Sequence, residues 1–506
     1  MPDASSDGVV GGNAHIILDL MHGIYNYEDK NVWTFVRVEN DRTVVGYRQT
    51  NGWARTRTVY FAMEFSKPFK SYGFKNFAKV DYQGFWRKFD QTRNFPEMAG
   101  KQIRAYFDFD AEANEKIQVK FAISPVSTEG AMANLRSEIS DWNFERVKRE
   151  GQAEWNKELS KISVTTLDEG EMVNFYTALY HALLTPTVYM DIDGRYKGTD
   201  QNVHNSMRKP AREQGRNSQR VDYAPANARA SAAQGEVPFT NYTTFSLWDT
   251  YRALHPLLNI IQPARNRDMV RSMLAHYDQS VHKMLPVWSH YANENWCMIG
   301  YHSVSVIADA IVKDNFTGPE AIKALEASAQ TARTKYYDGL EYYIKLGYVP
   351  EDKNSSSVSK TLEYAYDDWC IAQAAKRLDR ADIYNEFIKR SENWRNVWDR
   401  STGFMRPKMS DGKFREKFDT LSTHGQGFIE GNAWNYSLYV PHNPEGLIDL
   451  MGGKAKFAAH MDELFTMHLP DEFFAETEDV TREGIIGNYV HGNEPAHHAA
   501  YLYNWT

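Results

Sequence analysis

The sequence has only two cysteines, Cys297 and Cys370, among its 506 residues. Two thiols cannot build the disulfide framework of a small secreted domain, and we expect both to be buried and unbridged. No apolar run approaches the roughly 20 residues that a membrane-spanning helix needs, and no signal peptide is visible at the start of the chain. The sequence also lacks a long basic tract, and its formal net charge of −8 argues against a nucleic-acid partner.

Aromatic residues are plentiful, at 14% of the chain, with 13 Trp, 30 Tyr and 26 Phe. Aromatic rings commonly line sugar-binding clefts. They also fill large cores, and composition alone favours the core interpretation. The length predicts two or more folding units.

The first 135 residues predict a β-sandwich, because short runs rich in β-branched and aromatic residues follow one another without helical periodicity between them. The runs are AHIILDL, NVWTFVRV, TVVGYRQ, RTVYFAMEF, QIRAYFDF and IQVKFAIS. Residues 136–165 predict a helical linker, since apolar residues recur there at helical spacing in a charged background.

Residues 166–506 predict a second domain made of helices. Amphipathic stretches follow one another with few strands between them, which indicates a helical layer or toroid. They are EMVNFYTALYHALLT, TFSLWDTYRALHPLLNII, NRDMVRSMLAHYDQS, SVSVIADAIVKD, GPEAIKALEASAQTART, LEYAYDDWCIAQAAKRL and ADIYNEFIKRSENWRNVWD. Ser206–Pro238 interrupts them and is rich in Arg, Ala, Gly, Ser and Pro. We expect a solvated surface loop there rather than a site for an anionic partner.

Two segments hold candidate catalytic residues. Glu430 lies between Phe428-Ile429 and a Gly-Asn-Ala-Trp run, and a carboxylate beside large apolar groups resists ionisation, as a general acid requires. The alternative is a carboxylate bonded to backbone amides at a helix start. Trp248 and Asp249 pair a flat apolar face with a hydrogen-bond acceptor, which suits a sugar ring. Trp-Asp is also an ordinary helix start.

A polar cluster lies near the end of the sequence, formed by His491, Asn493, Glu494, His497 and His498. Imidazoles with a carboxylate suit zinc, whereas Asn, Glu and backbone carbonyls suit calcium. The zinc signature H-E-x-x-H is absent. A satisfied polar network without any metal remains an alternative.

Further carboxylates and aromatic residues lie between these segments: Glu363, Asp367, Asp368, Trp288, Glu294, Trp296 and His302. No nucleophile elbow, phosphate loop or dinucleotide fingerprint occurs. An aromatic-rich cleft with several carboxylates is typical of glycoside hydrolysis.

Four segments then resemble the glycoside hydrolase family 92 α-mannosidases: FSLWDTYRALHPLL, VPEDKNSSSVSKTLEYAYDDW, FIEGNAWNYSLYVPHNPEGLIDLMGG and GNEPAHHAAYLYNW. The N-terminal VRVENDRTVVGYRQTNGWARTRTVYFAMEFSKPF resembles the same family. The resemblance implies a β-sandwich followed by an (α/α)6 toroid, incomplete at its C-terminal end. It also implies a calcium-dependent, exo-acting, inverting enzyme that removes terminal α-linked mannose from N-glycan or mannan oligosaccharides, with α-1,2 linkages expected first.

By the same resemblance Glu430 is the general acid. Trp248, Asp249, His491 and His497 contact the substrate, and Asn493 and Glu494 bind calcium. Family members continue beyond the last segment into a loop that supplies the general base, so we expect this chain to be a fragment with impaired activity. The resemblance also implies a secreted or periplasmic protein. The alternatives are another (α/α)6 glycoside hydrolase, a non-catalytic mannose-binding homologue and, as the weakest, a zinc hydrolase.

Overall fold

The computed structural model of the chain describes residues 13–24, 29–78, 93–207, 237–475 and 484–506. The contacts divide the chain into two units. The first comprises Met1–Thr244 with Ser289–Asn295, and the second comprises Phe245–Trp288 with Trp296–Thr506. Most of the predicted surface loop, residues 208–236, lies outside the described residues.

The first unit begins with eight described strands that form two antiparallel sheets. Their bounds are β1 (Asn13–Asp19), β2 (Asn31–Val38), β3 (Thr43–Thr50), β4 (Arg57–Phe65), β5 (Ser71–Asn76), β6 (Glu97–Gly100), β7 (Ile103–Asp110) and β8 (Val119–Ser124). One sheet has the order β6-β2-β3-β4-β8 and the other has the order β1-β7-β5.

One apolar core is shared by the two sheets. The five-stranded sheet contributes buried residues such as Val36, Phe61 and Phe65, and the three-stranded sheet contributes Phe74 and Phe107 to the same cluster. Two sheets that bury their inner faces against each other form a sandwich. The predicted N-terminal β-sandwich is therefore confirmed.

Gly46 occupies the middle of β3, where the sheet leaves no room for a side chain. It pairs with Val36 on one side and with Phe61 on the other. A Cβ atom at this position would lie 2.1 Å from the carbonyl oxygen of Phe35 and 2.7 Å from the Phe61 ring. The glycine therefore allows the Phe61 ring to cover the backbone of β3.

The first unit continues with three helices and six short strands. They are α1 (Thr128–Glu138), α2 (Phe144–Leu159), α3 (Glu169–Ala182), β9 (Thr187–Val188), β10 (Arg195–Lys197), β11 (Val203–Asn205), β12 (Tyr242–Thr243), β13 (Ser289–His290) and β14 (Asn293–Glu294). Asp191 accepts hydrogen bonds from Ser124 Oγ and from Asn134 Nδ2. These bonds tie the segment after α3 to β8 and α1. The predicted domain boundaries at residues 135 and 165 stay a prediction.

The second unit is helical apart from two short hairpins. Its elements are α4 (Leu247–Thr250), α5 (Leu254–Ile261), α6 (Pro263–Gln279), α7 (Ser303–Val312), α8 (Gly318–Thr331), α9 (Leu340–Leu346), α10 (Ser357–Arg377), α11 (Ala381–Arg390), β15 (Trp398–Asp399), β16 (Phe404–Met405), α12 (Ala433–Tyr436), α13 (Pro444–Leu450), α14 (Lys454–Thr466), α15 (Asp471–Ala475), β17 (Ile485–Ile486) and β18 (Tyr489–Val490). Short 3₁₀ segments cover Asn393–Val397, Glu494–Ala496 and Ala499–Trp505. The predicted order of a sandwich followed by helices is confirmed.

Among the described residues, helix α10 has more buried residues than any other helix of the second unit. Sixteen of its 21 residues are buried, and they lie on all sides of the helix. A helix that is buried all round belongs to a core. Three of its buried residues are Glu363, Asp367 and Asp368, so the core of this unit contains charge. None of the described helices is long and apolar enough to cross a membrane.

Candidate active site

Glu430 immediately precedes the start of the short helix α12, but it does not cap that helix. The cap is Asn432, whose side-chain oxygen accepts from the backbone N–H groups of Trp434 and Asn435 at 3.1 and 3.3 Å. Asn435 returns the bond to the Asn432 backbone N–H at 3.2 Å. This reciprocal pattern is a capping box. Glu430 is therefore not the carboxylate that caps the start of this helix.

The backbone of Glu430 is held in a left-handed conformation, with φ at +47°. Such a conformation is costly for a residue with a side chain, and it persists where surrounding contacts impose it. One of these contacts comes from Asn493, whose side-chain NH₂ donates to the Glu430 carbonyl at 3.1 Å. The segment after β18 therefore helps to fix the backbone of the candidate acid.

A buried amide network anchors the chain that leads into this segment. Asn488, in the turn between β17 and β18, accepts at its backbone carbonyl from Asn435 Nδ2 at 2.8 Å. Its side-chain oxygen accepts from Asn432 Nδ2 at 3.3 Å. Asn432 and Asn488 are both fully buried. The same residues that start α12 thus also hold the terminal hairpin in place, a role that sequence analysis missed.

The carboxyl group of Asp249, in α4, contacts the carboxyl group of Glu494. Burial and the negative charge of Glu494 raise the pKa of Asp249 to about 7, and bonds from Ser246 and the charge of Arg252 only partly oppose this. Two carboxyl groups that share a site cannot both ionise easily, and this repulsion adds to burial in raising the pKa of Asp249. The structure therefore brings together two residues that the sequence places 245 positions apart.

The predicted histidines surround Glu494 in different ways. His491 Nδ1 is 2.6 Å from the Tyr489 hydroxyl, and its ring lies 5.2 Å from the ring of His497. Burial lowers the pKa of His497, although the charge of Glu494 opposes the shift. His498 is different, because burial lowers its pKa to about 4 and its Nε2 bonds to the Leu438 carbonyl at 2.8 Å. His498 therefore has a structural role.

The side-chain oxygens of Asp249, Asn493 and Glu494 are of the kind that bind a hard cation. Calcium takes six to eight oxygen ligands, and a cation would relieve the repulsion between the carboxylates of Asp249 and Glu494. The side-chain oxygen of Asn493 already accepts one hydrogen bond, from the Glu494 backbone N–H at 2.9 Å. Within the described ranges, no group of three His, Cys, Asp or Glu side chains could hold a metal ion. A zinc site, which needs three or four such ligands, receives no support there.

Trp248 is almost completely buried, with 1% of its surface exposed. Its indole N–H donates to Glu363 Oε1 at 3.1 Å. The Arg252 guanidinium lies 4.7 Å from the Trp248 ring centre, and its Nε donates to the Trp248 carbonyl at 3.0 Å. These contacts hold the Trp248 ring in the core of the second unit, and its predicted contact with mannose stays a prediction.

Beneath the site lies a buried ionic network that we call the Glu363 network. His302 bridges two carboxylates of α10, with 2.8 Å from Nδ1 to Asp367 and 2.8 Å from Nε2 to Glu363. Burial alone lowers the pKa of His302, but the charges and hydrogen bonds of Asp367 and Glu363 outweigh it and raise the pKa to about 9. His302 is therefore a buried imidazolium at neutral pH.

The rest of the network balances its charge. Asp368 accepts from the Tyr301 and Tyr343 hydroxyls at 2.8 and 2.9 Å and from Arg390 Nε at 2.9 Å. Arg252 lies 3.7 Å from Glu363. Three buried carboxylates thus face three cations, which is the condition under which buried charge is tolerated. Sequence analysis noted the carboxylates and His302 but missed both arginines, although Arg252 follows Trp248 at helical spacing.

The other noted residues are not part of this network. Glu294 lies in β14, which groups with the first unit, and Trp288 ends the first segment of the second unit. Trp296 lies in the loop before α7.

Comparison with known proteins identifies the family. Residues 130–506 match the family model described as "Glycosyl hydrolase family 92 catalytic domain", and residues 9–124 match the "Glycosyl hydrolase family 92 N-terminal domain". The chain belongs to glycosyl hydrolase family 92. This confirms the family that the sequence motifs predict.

Solved family 92 structures share the fold of this chain. It is similar to the family GH92 α-mannosidase BT3965 of Bacteroides thetaiotaomicron, with 42% identity, a TM-score of 0.84 and coverage of 97% of this chain and 60% of that one. It is also similar to the inverting mannosidase BT2199 of the same organism, with 30% identity, a TM-score of 0.79 and coverage of 97% and 62%.

A curated relative is more distant. An uncharacterized secreted glycosidase of Arthroderma benhamiae is 23% identical over 492 residues, which cover 86% of this chain and 52% of that protein. The chain thus spans about half to three fifths of the length of the family 92 relatives that it matches.

Proposed function

We propose that this chain belongs to an exo-acting α-mannosidase that removes terminal α-linked mannose with inversion, in a calcium-dependent reaction. The observation that carries the proposal is the contact between the carboxyl groups of Asp249 and Glu494, which come from distant segments of the chain. Asn493 joins Glu430 to Glu494. Two similar structures support the substrate and the stereochemistry, because one is an α-mannosidase solved with mannoimidazole and the other is named an inverting mannosidase.

In this mechanism Glu430 protonates the glycosidic oxygen as the mannose leaves. A general acid of this kind contributes about 10²- to 10⁴-fold to the rate. Inversion requires a base on the opposite face of the sugar, with its carboxylate roughly 6.5–9.5 Å from the acid. We assign no residue of this chain to that base.

Asn493 and Glu494 would hold the calcium ion, which when bound would supply positive charge to orient neighbouring sugar hydroxyls. Asp249, His491 and His497 lie beside it and would bind hydroxyl groups of the mannose. Because its pKa is raised to about 7, Asp249 can offer either a donor or an acceptor to such a group near neutral pH. Trp248 precedes Asp249 in α4.

We further propose that the substrates are N-glycan or mannan oligosaccharides with α-1,2 linkages and that the protein is secreted. Secretion follows the similarity to the secreted glycosidase of Arthroderma benhamiae. The linkage is the least constrained part of the proposal, because contacts with the leaving sugar decide it. A panel of α-1,2-, α-1,3-, α-1,4- and α-1,6-mannobiose would test it directly.

The deciding experiment measures mannose release from α-1,2-mannobiose by the full-length protein. The release is followed by proton NMR, with calcium and with chelator. We expect calcium-dependent release of the β-anomer first, and a loss of at least 10²-fold in Glu430→Gln. Glu445→Gln, an exposed glutamate of α13, is the matched control and should retain full activity.

Three results would contradict the proposal. Release of glucose from α-glucosides in place of mannose would indicate another hydrolase. Binding of mannose without turnover would indicate a lectin-like homologue. An unchanged rate in Glu430→Gln would show that Glu430 is not the general acid.

A further inference from the structure

One buried atom, Glu363 Oε1, joins two segments of the candidate site. It accepts from the Trp248 indole N–H at 3.1 Å and from the Tyr436 hydroxyl at 3.2 Å. Trp248 directly precedes Asp249 in α4. Tyr436 ends α12, the short helix that follows Glu430 in the chain. A single carboxylate oxygen therefore links the segment proposed to bind the mannose with the segment that carries the proposed acid.

The Tyr436 ring packs against residues on both sides of Glu430 in the chain. A Cβ atom at Gly431, the next residue, would lie 3.3 Å from Tyr436 Cδ2, so the ring lies against the backbone there. The same ring stacks on Phe428, with ring centres 5.9 Å apart and an angle of 25° between the planes. The position of the Tyr436 ring therefore bears directly on the backbone that carries Glu430.

Helix α10 holds this segment at a second point, one helical turn before Glu363. Ser359 Oγ accepts from the Ile429 backbone N–H at 3.2 Å, and the Ser359 backbone N–H donates to the Gly427 carbonyl at 3.2 Å. One rigid helix thus contacts the chain before Glu430 through Ser359 and after it through Glu363. The left-handed backbone of Glu430 needs such outside support.

The Glu363 carboxylate is itself fixed in one orientation. Its Oε2 lies 2.8 Å from His302 Nε2, and its Oε1 lies 3.7 Å from Arg252 Nη2. Arg252 also contacts α4, because its Nε donates to the Trp248 carbonyl at 3.0 Å. Both oxygens of a fully buried carboxylate are therefore engaged, and a network that is satisfied in this way is rigid.

We infer that Glu363 is a positioning residue for the hydrolysis, which holds the segment of the general acid at a fixed place relative to the segment that binds the mannose. The inference rests on the proposed function, in which Glu430 is the acid. An acid acts only within hydrogen-bond reach of the leaving oxygen, and a misplacement of roughly 1 Å can lower a rate about 10²-fold. Glu363 acts on the reaction through Tyr436 and Trp248.

The test compares two substrates of the full-length protein that differ in their need for the acid. The sugar alcohol that leaves α-1,2-mannobiose is a poor leaving group and must be protonated as it departs. The phenol that leaves a dinitrophenyl α-mannoside departs with little help. Loss of acid assistance therefore lowers kcat for mannobiose and hardly changes kcat for the aryl mannoside. A change that only disturbs the fold lowers both rates alike.

Tyr436→Phe is the decisive variant, because it keeps the ring against Gly431 and removes only the hydroxyl that donates to Glu363. It should lower kcat for mannobiose about tenfold, part of the roughly 10²- to 10⁴-fold that a general acid contributes, and change kcat for the aryl mannoside less than about twofold. Tyr343→Phe is the matched control. Its hydroxyl donates to Asp368 of the same helix α10 at 2.9 Å, and its loss should change neither rate.

Substitutions of Glu363 itself complete the test. Glu363→Leu removes the acceptor of both bonds and should show the same selective loss as Tyr436→Phe. Glu363→Gln keeps an acceptor oxygen for Trp248 and Tyr436, so it should recover most of the rate that Glu363→Leu loses. If Glu363→Leu fails to fold, Tyr436→Phe decides alone.

Glu430→Gln in the same assay separates this inference from the proposed function. A selective loss on mannobiose in Glu430→Gln supports the proposed acid. Equal loss on both substrates in Tyr436→Phe, or no loss on either, would then overturn the inference and leave the proposed function intact. Absence of a selective loss in Glu430→Gln would defeat both.

Discussion

Replacing Glu363 by glutamine should remove the positive charge of His302 from the core of the second unit. Glu363 accepts from Trp248 and from Tyr436 at Oε1, and its Oε2 lies 2.8 Å from His302 Nε2. A glutamine can keep the first two bonds through its side-chain oxygen. Its NH₂ group would then face Nε2 as a donor, which favours a neutral imidazole.

The cost follows from the pKa of His302, which is raised from 6.5 to about 9. One pKa unit corresponds to 1.36 kcal/mol, so the wild-type imidazolium contributes about 3 kcal/mol to the free energy of unfolding. This contribution is complete below pH 6.5 and disappears as the pH rises through 9, because a raised pKa means that the folded protein binds the extra proton. Because Asp367 also holds this proton, Glu363→Gln should cost up to about 3 kcal/mol near pH 6.5, which is of the order expected for a broken buried pair.

Urea unfolding at pH values from 7 to 9.5, followed by tryptophan fluorescence, measures both effects. The window starts at pH 7, above the pKa of Asp368, which is raised to about 6. Asp249, whose pKa is raised to about 7, titrates at the lower end of the window in the wild type and in both variants alike. The wild-type midpoint should fall across this window, and that of Glu363→Gln should be lower and nearly flat. Glu445→Gln should follow the wild type. A variant that loses stability but keeps the full pH dependence would refute the assignment of the buried charge to His302.

Two further predictions concern backbone positions. Gly46→Ala should destabilise the sandwich by at least about 2 kcal/mol, because its Cβ would overlap the Phe35 carbonyl; a melting temperature within 1–2 °C of wild type (a shift well under about 1 kcal/mol) would contradict this. Asn432→Ala should cost about 1–2 kcal/mol through the lost cap of α12, and it should reduce activity as well by loosening Asn488. Asn432→Asp keeps the capping oxygen but loses the Nδ2 bonds to Leu421 and Asn488 and buries a charge, so it should not recover the stability measured by thermal unfolding.

The strand and helix pattern of the chain could be predicted well where the elements are long and periodic. Six of the eight strands of the sandwich coincide with predicted runs. The two that were missed are β5, which contains Gly73, and β6, which has only four residues. The predicted helix over TFSLWDTYRALHPLLNII is interrupted between Thr250 and Leu254, so that α4 is a single turn and α5 is a separate helix.

The candidate site was predicted in its segments but not in its geometry. The sequence brought attention to Glu430, Asp249 and Glu494, and the structure brings Asp249 into contact with Glu494. The amide network around α12 could not be foreseen, because Asn432 and Asn488 are single polar residues without a distinctive pattern. Left-handed backbone at Glu430 was equally hidden, since nothing in the sequence marks a glutamate for that conformation.

The burial of Glu363, Asp367 and Asp368 shows why spacing alone misleads. Carboxylates four residues apart on a helix ordinarily indicate a solvated face or a water-filled cleft. Burying three of them is possible here only because Arg252 comes from the segment after α4, His302 from the start of α7 and Arg390 from the end of α11. Each cation lies 20 or more positions from its carboxylate in sequence, so the compensation exists only in the folded unit. The same three carboxylates would therefore be strongly destabilising in any arrangement of these helices that failed to bring all three cations to α10.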